Sequence, residues 1–68
     1  MSMIVTINGK HQEVPGGANL QQVLERLGVK RQFVAVEVNA QLVAREQHAD
    51  HVLAEGDAIE IVTLVGGG

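Results

Sequence analysis

Hydrophobic positions along this chain alternate between two periods. Met3 to Ile7 is short, apolar and β-branched, Asn8-Gly9 interrupts it, and Lys10 to Val14 is mostly polar. Asn-Gly favours the positive φ angles of a type I′ turn, so this stretch predicts a hairpin. Its charged return strand belongs at a sheet edge, and Pro15-Gly16-Gly17 ends it. From Asn19 the period becomes helical. Leu20, Val23, Leu24 and Leu27 make one apolar stripe, with Gln21, Gln22, Glu25 and Arg26 on the other side. Asn19 and Gln22 are spaced as a capping box, and Gly28 is placed to stop the helix in a left-handed conformation. A helix of about nine residues is unstable alone and needs a sheet to pack on.

Phe33 to Val38 predicts the next strand, Asn39-Ala40-Gln41 a turn, and Leu42-Val43-Ala44 a short strand. Arg45 to Leu53 is polar, with room for one short helical turn. Glu55-Gly56-Asp57 is a turn before a last strand from Ala58 to Leu64. Strand, strand, helix, strand, short strand, strand predicts an α+β layer, one helix across one mixed sheet. Alternation turns Val5 and Ile7 toward the helix and leaves Ile4 and Thr6 outward; it buries Ile59 and Ile61 and exposes Glu60, Val62 and Leu64. A one-sided sheet normally places polar residues outward, so Val62 and Leu64 mark an interaction surface. A register off by one would instead make them core.

Composition narrows the possibilities. The 68 residues hold one aromatic, Phe33, and no cysteine. The core is therefore aliphatic, and disulfides, thiolate metal sites and a cysteine nucleophile are excluded. A formal charge of −3 with five basic residues does not suit nucleic acid. No apolar run approaches the ~20 residues of a membrane helix, and the start lacks a basic segment followed by an apolar one, so one cytoplasmic domain is the expectation. The last strand passes without a polar break into Val65-Gly66-Gly67-Gly68. Glycine cannot pack and is conformationally permissive, so a domain over 1–65 and a flexible tail over 66–68 are expected. Taken alone, such a tail is either a frayed end or a working part.

The hairpin, the single Leu-rich helix and the last strand ending in Gly-Gly together resemble the ubiquitin-like β-grasp fold, with four to five strands. Within it the whole chain resembles the ThiS family, the small sulfur carriers of thiamin biosynthesis. The most specific stretches are Val36 to Asn39 with Leu42 to Glu46, then Glu55 to Val62, then Gly67-Gly68. Ala44 stands where the family often has Pro, and His48 where many members have an aromatic residue such as Trp. The resemblance implies that the chain is a protein cosubstrate rather than an enzyme. It implies that a ThiF-type adenylyltransferase activates Gly68 with ATP and Mg²⁺, which the chain itself does not bind. Sulfur derived from cysteine through a desulfurase then gives a thiocarboxylate, and the Gly68 thiocarboxylate donates that sulfur to thiazole synthase of the ThiG type.

The tail's chemistry suits this role. Glycines without Cβ atoms can thread a narrow, water-excluding cleft, and fixing them costs about 1–2 kcal/mol per residue. Gly66 and Gly67 are the expected threading residues, Gly67 and Gly68 the essential ones and Gly66 the tolerant one. Docking through Glu60, Val62, Leu64 and Val65 would offset the ordering cost. The same fold and end also suit the small subunit of molybdopterin synthase or another sulfur carrier, and a β-grasp interaction module with incidental glycines is a different class again. His48 and His51 lack a third ligand and are expected to be surface or half-buried rather than metal-binding. His11 stands alone, Lys10, Lys30 and Arg31 read as solvated charges, and Gly16-Gly17 lacks the Lys-Ser/Thr of a phosphate loop, so it reads as a turn.

Overall fold

A computed structural model describes residues 1–64, and Val65 to Gly68 lie outside the described residues. β1 (Ser2–Ile7) and β2 (Lys10–Pro15) form the expected hairpin, with Ile7 opposite Lys10. Asn8 at φ 50° and Gly9 at φ 84° make the two-residue turn. α1 spans Leu20–Arg26, then a 3₁₀ turn at Arg31–Phe33 leads into β3 (Val34–Val38). β4 is Gln41–Leu42, a second 3₁₀ turn occupies Arg45–Gln47, and β5 spans Ala58–Thr63. The five strands are ordered β2-β1-β5-β3-β4. β5 sits centrally, parallel to β1 and antiparallel to β3. The mixed sheet with one helix is the β-grasp arrangement, and β2 is an edge strand as its charge required.

The helix is short because both of its ends are built to stop it. Asn19 accepts from Gln22 N–H at 2.8 Å, and Gln22 accepts from Asn19 N–H at 2.9 Å, which completes the capping box. Gly28 takes φ 74°, with Gly28 N–H donating to Glu25 O and Val29 N–H to Leu24 O, both at 3.0 Å. That pair of bonds is a Schellman motif, and Val29 adds its apolar contact against the core. Leu20, Val23 and Leu24 are buried with Val5, Ile7, Val36, Val38 and Ile59. Leu27 does not join them: it is the C-cap residue and stays exposed, because the chain turns away at Gly28.

The remaining element boundaries shift for local reasons. Phe33 falls in the 3₁₀ turn rather than the strand and is exposed. β4 is shorter than expected: Val43 is buried and its N–H donates to Val36 O at 2.9 Å, in register with the β3–β4 pairs, and Ala44 already caps the second 3₁₀ turn, while Gln41 joins the strand rather than the turn. Ile61 is half-buried rather than buried. Along one side of β5 the covering thins from buried Ile59 through Ile61 to exposed Thr63, so the strand runs out from the core toward the chain's end.

Candidate functional site

β5 delivers the C-terminus, so the groups that fix it define the site's frame. β1 pairs with it at Thr6↔Ala58 and Ile7↔Ile59. Asn8 then continues the ladder with its side chain. Ile61 N–H donates to Asn8 Oδ1 at 2.7 Å, and Asn8 Nδ2 donates to Ile61 O at 3.3 Å. At the other end of the strand, Ala58 N–H donates to Asn39 Oδ1 at 3.0 Å. Asn39 Nδ2 donates to Asp57 Oδ1 at 3.0 Å, and Asp57 Oδ2 accepts from Ala54 N–H at 2.8 Å. Both asparagines hold positive φ, Asn8 at 50° and Asn39 at 53°, a conformation asparagine tolerates better than most residues. Two turn residues thus clasp β5 from the strands on either side. Both asparagines lie at predicted turns, and the clasp itself leaves no local signal, since it depends on a side chain's long-range partner.

The outward face of β5 is as the alternation predicted. Glu60, Val62 and Leu64 are exposed, Val62 by 56% and Leu64 by 43%, which removes the off-by-one alternative. Val62 lies opposite Ala35, and Leu64 N–H donates to Phe33 O at 2.8 Å, carrying the pairing one step past the strand. Leu42, opposite Glu37 on β3, adds a further exposed aliphatic side chain. Leu64, Leu42, Ala35 and Arg45 share the lining of an open cleft of about 170 Å³ with His48. The other expected site residues, Val65, Gly66, Gly67 and Gly68, lie outside the described residues.

His48 corrects the sequence reading: it is buried, 2% exposed, not at the surface or half-buried. Its backbone carbonyl accepts from Gln21 N–H at 3.1 Å, while His51 O accepts from Leu20 N–H at 2.9 Å. With Asn19 taking Gln22 N–H, the first helical turn has its free donors satisfied. The His48 ring lies 3.2 Å through Nε2 from Val43 O. A carbonyl only accepts, so Nε2 carries a proton. Nδ1 is buried without a partner among the described residues. Burial pushes the His48 pKa down from 6.5; the Val43 bond opposes this, and the charges of Arg31, Arg45 and His51 add to the lowering.

No group of three or more His, Cys, Asp or Glu able to hold a metal occurs among the described residues. An open cleft of about 530 Å³ adjoins Gly16, Gly17, Gln22 and Arg26. Its neighbouring helix start has no free donors to offer a phosphate, in keeping with a plain strand-to-helix turn. Among the described residues no helix is long and apolar enough to cross a membrane.

A five-stranded mixed sheet, one capped helix and a central strand leading to the chain's end define a ubiquitin-like β-grasp protein. The ThiS family model matches residues 5–68. The sulfur carrier protein ThiS of Escherichia coli is 30% identical over 66 residues, covering 97% of this chain and 100% of that one. The crystal structure of the thiamine biosynthesis protein ThiS from Geobacter metallireducens superposes with a TM-score of 0.83 at 35% identity, covering 97% of this chain and 100% of that one. The chain belongs to the ThiS family. It also matches a thiazole synthase of Paramagnetospirillum magneticum, 35% identical over 66 residues, where it covers 97% of itself but 20% of that protein's length.

Proposed function

We propose that this chain carries sulfur for thiamin biosynthesis as a thiocarboxylate on Gly68. The reading is carried by one observation: the family match runs through residue 68, so it includes the terminal glycines as well as the body. In the proposed sequence a ThiF-type adenylyltransferase binds ATP and Mg²⁺. The Gly68 carboxylate attacks the α-phosphorus, pyrophosphate leaves, and an acyl-adenylate forms. A persulfide, its outer sulfur drawn from cysteine by a desulfurase, displaces AMP to give an acyl disulfide; a thiol then attacks the sulfur distal to the acyl group, releasing the thiocarboxylate and leaving a disulfide. Thiazole synthase of the ThiG type then takes the sulfur. The thiazole synthase that contains a segment like this chain supports that partner over the molybdopterin alternative.

The body's contribution is docking. Fixing residues 65–68 in an enzyme cleft costs about 1–2 kcal/mol each, roughly 4–8 kcal/mol in all. Val62 and Leu64 are each about half exposed. Burying what remains of them contributes about 1 kcal/mol apiece. They do not cover the cost alone, so the docked face must extend to Leu42 and Ala35. Glu60 and Val65 border that face in the chain.

Incubation with the cognate adenylyltransferase, ATP, Mg²⁺ and a sulfur source tests the reading. Replacement of one oxygen by sulfur raises the intact mass by about 16 Da, localised to Gly68 by fragmentation. An unchanged mass, with a second ThiS protein converted in the same mixture, would refute it and favour a plain interaction module. The Gly67→Ala variant should keep the native circular dichroism spectrum and lose most adenylation, because a Cβ enters the threaded segment.

A further inference from the structure

The outer edge of β2 is complementary to itself. Ile7 and Lys10 close the two-residue turn as a hydrogen-bonded pair, so Lys10, Gln12 and Val14 direct their backbone groups to β1, while His11 and Glu13 direct theirs outward. Gly16 N–H on Met1 O at 2.7 Å continues the same parity past the strand. Pro15, which has no N–H, therefore falls at an outward position and ends the usable edge. His11, Gln12 and Glu13 are all exposed. The side chains of His11 and Glu13 share the outward face of the sheet with Thr6 and Ile4, their partners on β1. Ser2 Oγ donates to Glu13 Oε2, which steadies that carboxylate at the edge.

Pairing this edge with itself across a two-fold axis must set outward-directed residues against one another, and the antiparallel registers that keep most of the strand centre on His11, Glu13 or Gln12. An axis at His11 sets imidazole against imidazole. One at Glu13 opposes like carboxylates and sets His11 against Pro15, which cannot donate. An axis at Gln12 sets His11 of each copy against Glu13 of the other, so that both pairs exchange backbone bonds while an imidazole donor faces a carboxylate. We propose that β2 pairs with β2 of a second copy of this chain, antiparallel about Gln12, joining the two sheets into one. Charges on an edge strand deter most other strands. Here they single out one register of self-pairing. On the helix side, Lys10 of one copy lies opposite Val14 of the other, its stem toward Leu27, which is 40% exposed and lines an open cleft of about 140 Å³ between β2 and α1. Arg26 lines that cleft too, and its charge together with that of Lys10 holds the affinity down. One strand a side is far less than the roughly 20–30 residues of a standard interface, so the expected Kd is about 0.1–1 mM. β1 separates β2 from β5, so Glu60, Val62 and Leu64 stay open in the dimer, and the pairing is independent of the sulfur-carrier reading.

Sedimentation equilibrium and amide spectra of the whole chain between about 0.02 and 2 mM test the pairing. The parent is expected to dimerise, with concentration-dependent shifts at the His11 and Glu13 amides and none at Val5, which is paired with Gln12 inside the hairpin. His11→Glu sets carboxylate against carboxylate at both pairs and is expected to weaken the dimer about tenfold. Combining His11→Glu with Glu13→Lys reverses each pair and is expected to restore the dimer to within about threefold of the parent. Both positions are exposed, so circular dichroism should report the parent fold in each variant. A parent that stays monomeric up to about 2 mM overturns the proposal, as do shifts confined to Val62 and Leu64. A dimer that His11→Glu leaves unchanged, or that the double variant fails to regain, overturns the register about Gln12.

Discussion

Protonation of His48 should loosen the fold in mildly acidic solution. In the folded chain Nε2–H faces Val43 O and Nδ1 is buried without a partner among the described residues, surroundings that favour the neutral ring. A second proton would sit on Nδ1 in apolar surroundings, near Arg31, Arg45 and His51, so the folded-state pKa lies below 6.5. The unfolded chain binds that proton more readily. Stability from this group is therefore complete above pH 6.5 and is lost as pH falls toward the folded pKa, with the slope levelling off below it. One proton sets a ceiling on the effect: the slope cannot exceed about 1.4 kcal/mol per pH unit, so the loss from pH 7 to 5.5 stays below about 1.3 kcal/mol. For a domain this size the fall in melting temperature is therefore smaller than about 10 °C. Urea titrations of the parent and of His48→Gln at both pH values measure it. Glutamine retains a donor that can reach Val43 O and does not titrate, while His11, His51 and every carboxylate are common to both proteins. The expected result is a pH-dependent loss in the parent that is absent from the variant after subtraction. Equal losses in the two proteins would refute the assignment of His48 as a buried neutral base.

Three further outcomes follow from the backbone and the exposed face. Ala40 holds φ 69°, a left-handed conformation that disfavours any Cβ; Ala40→Gly should raise unfolding free energy in urea by about 1 kcal/mol. Asn8→Gly keeps the turn conformation and removes both side-chain bonds to Ile61. It should cost about 1–2 kcal/mol and speed amide exchange at Ile61 more than at Ile4, and uniform exchange would refute the clasp. Leu64→Asp should weaken partner binding more than it lowers stability, since Leu64 is 43% exposed; a larger stability loss would place it with the core.

Features written in adjacent residues were legible from sequence. The type I′ turn at Asn8-Gly9, the Asn19–Gln22 capping box and the Gly28 stop depend on local backbone preferences, so short motifs announced them. Alternation assigned the faces of β1 and β5, because one side of each strand must meet the helix. Features that depend on what lies across the fold were not legible. Glu37 opposite Glu60 requires the β3–β5 register, and the clasps of Asn8 and Asn39 require knowing that β5 passes between them. The burial of His48 was missed for the same reason. Its stretch is polar in composition, yet its carbonyl caps the first turn of the helix, a contact across the fold that sets it beside the core.

The asymmetry of the clasps bears on how a body this small can serve as a handle. β5 has five paired residues on its β3 side, from Val34↔Thr63 to Val38↔Ile59, and two on its β1 side. Without Asn8, the β1-side ladder would stop at Ile59 and leave Ile61 N–H and C=O to solvent. Asn8 extends that support by two residues, to the point where the core covering has already thinned to half-buried Ile61. Beyond it the strand is held through β3 alone, by Thr63 and by Leu64 N–H on Phe33 O. Hydrogen bonding thus takes over from packing along the last residues of β5 that the body can hold. The aliphatic side chains freed from packing there, Val62 and Leu64, are the ones available to a partner. A strand held by its neighbours' backbones can offer its outer side chains without loosening, and that separates what the fold needs from what docking needs.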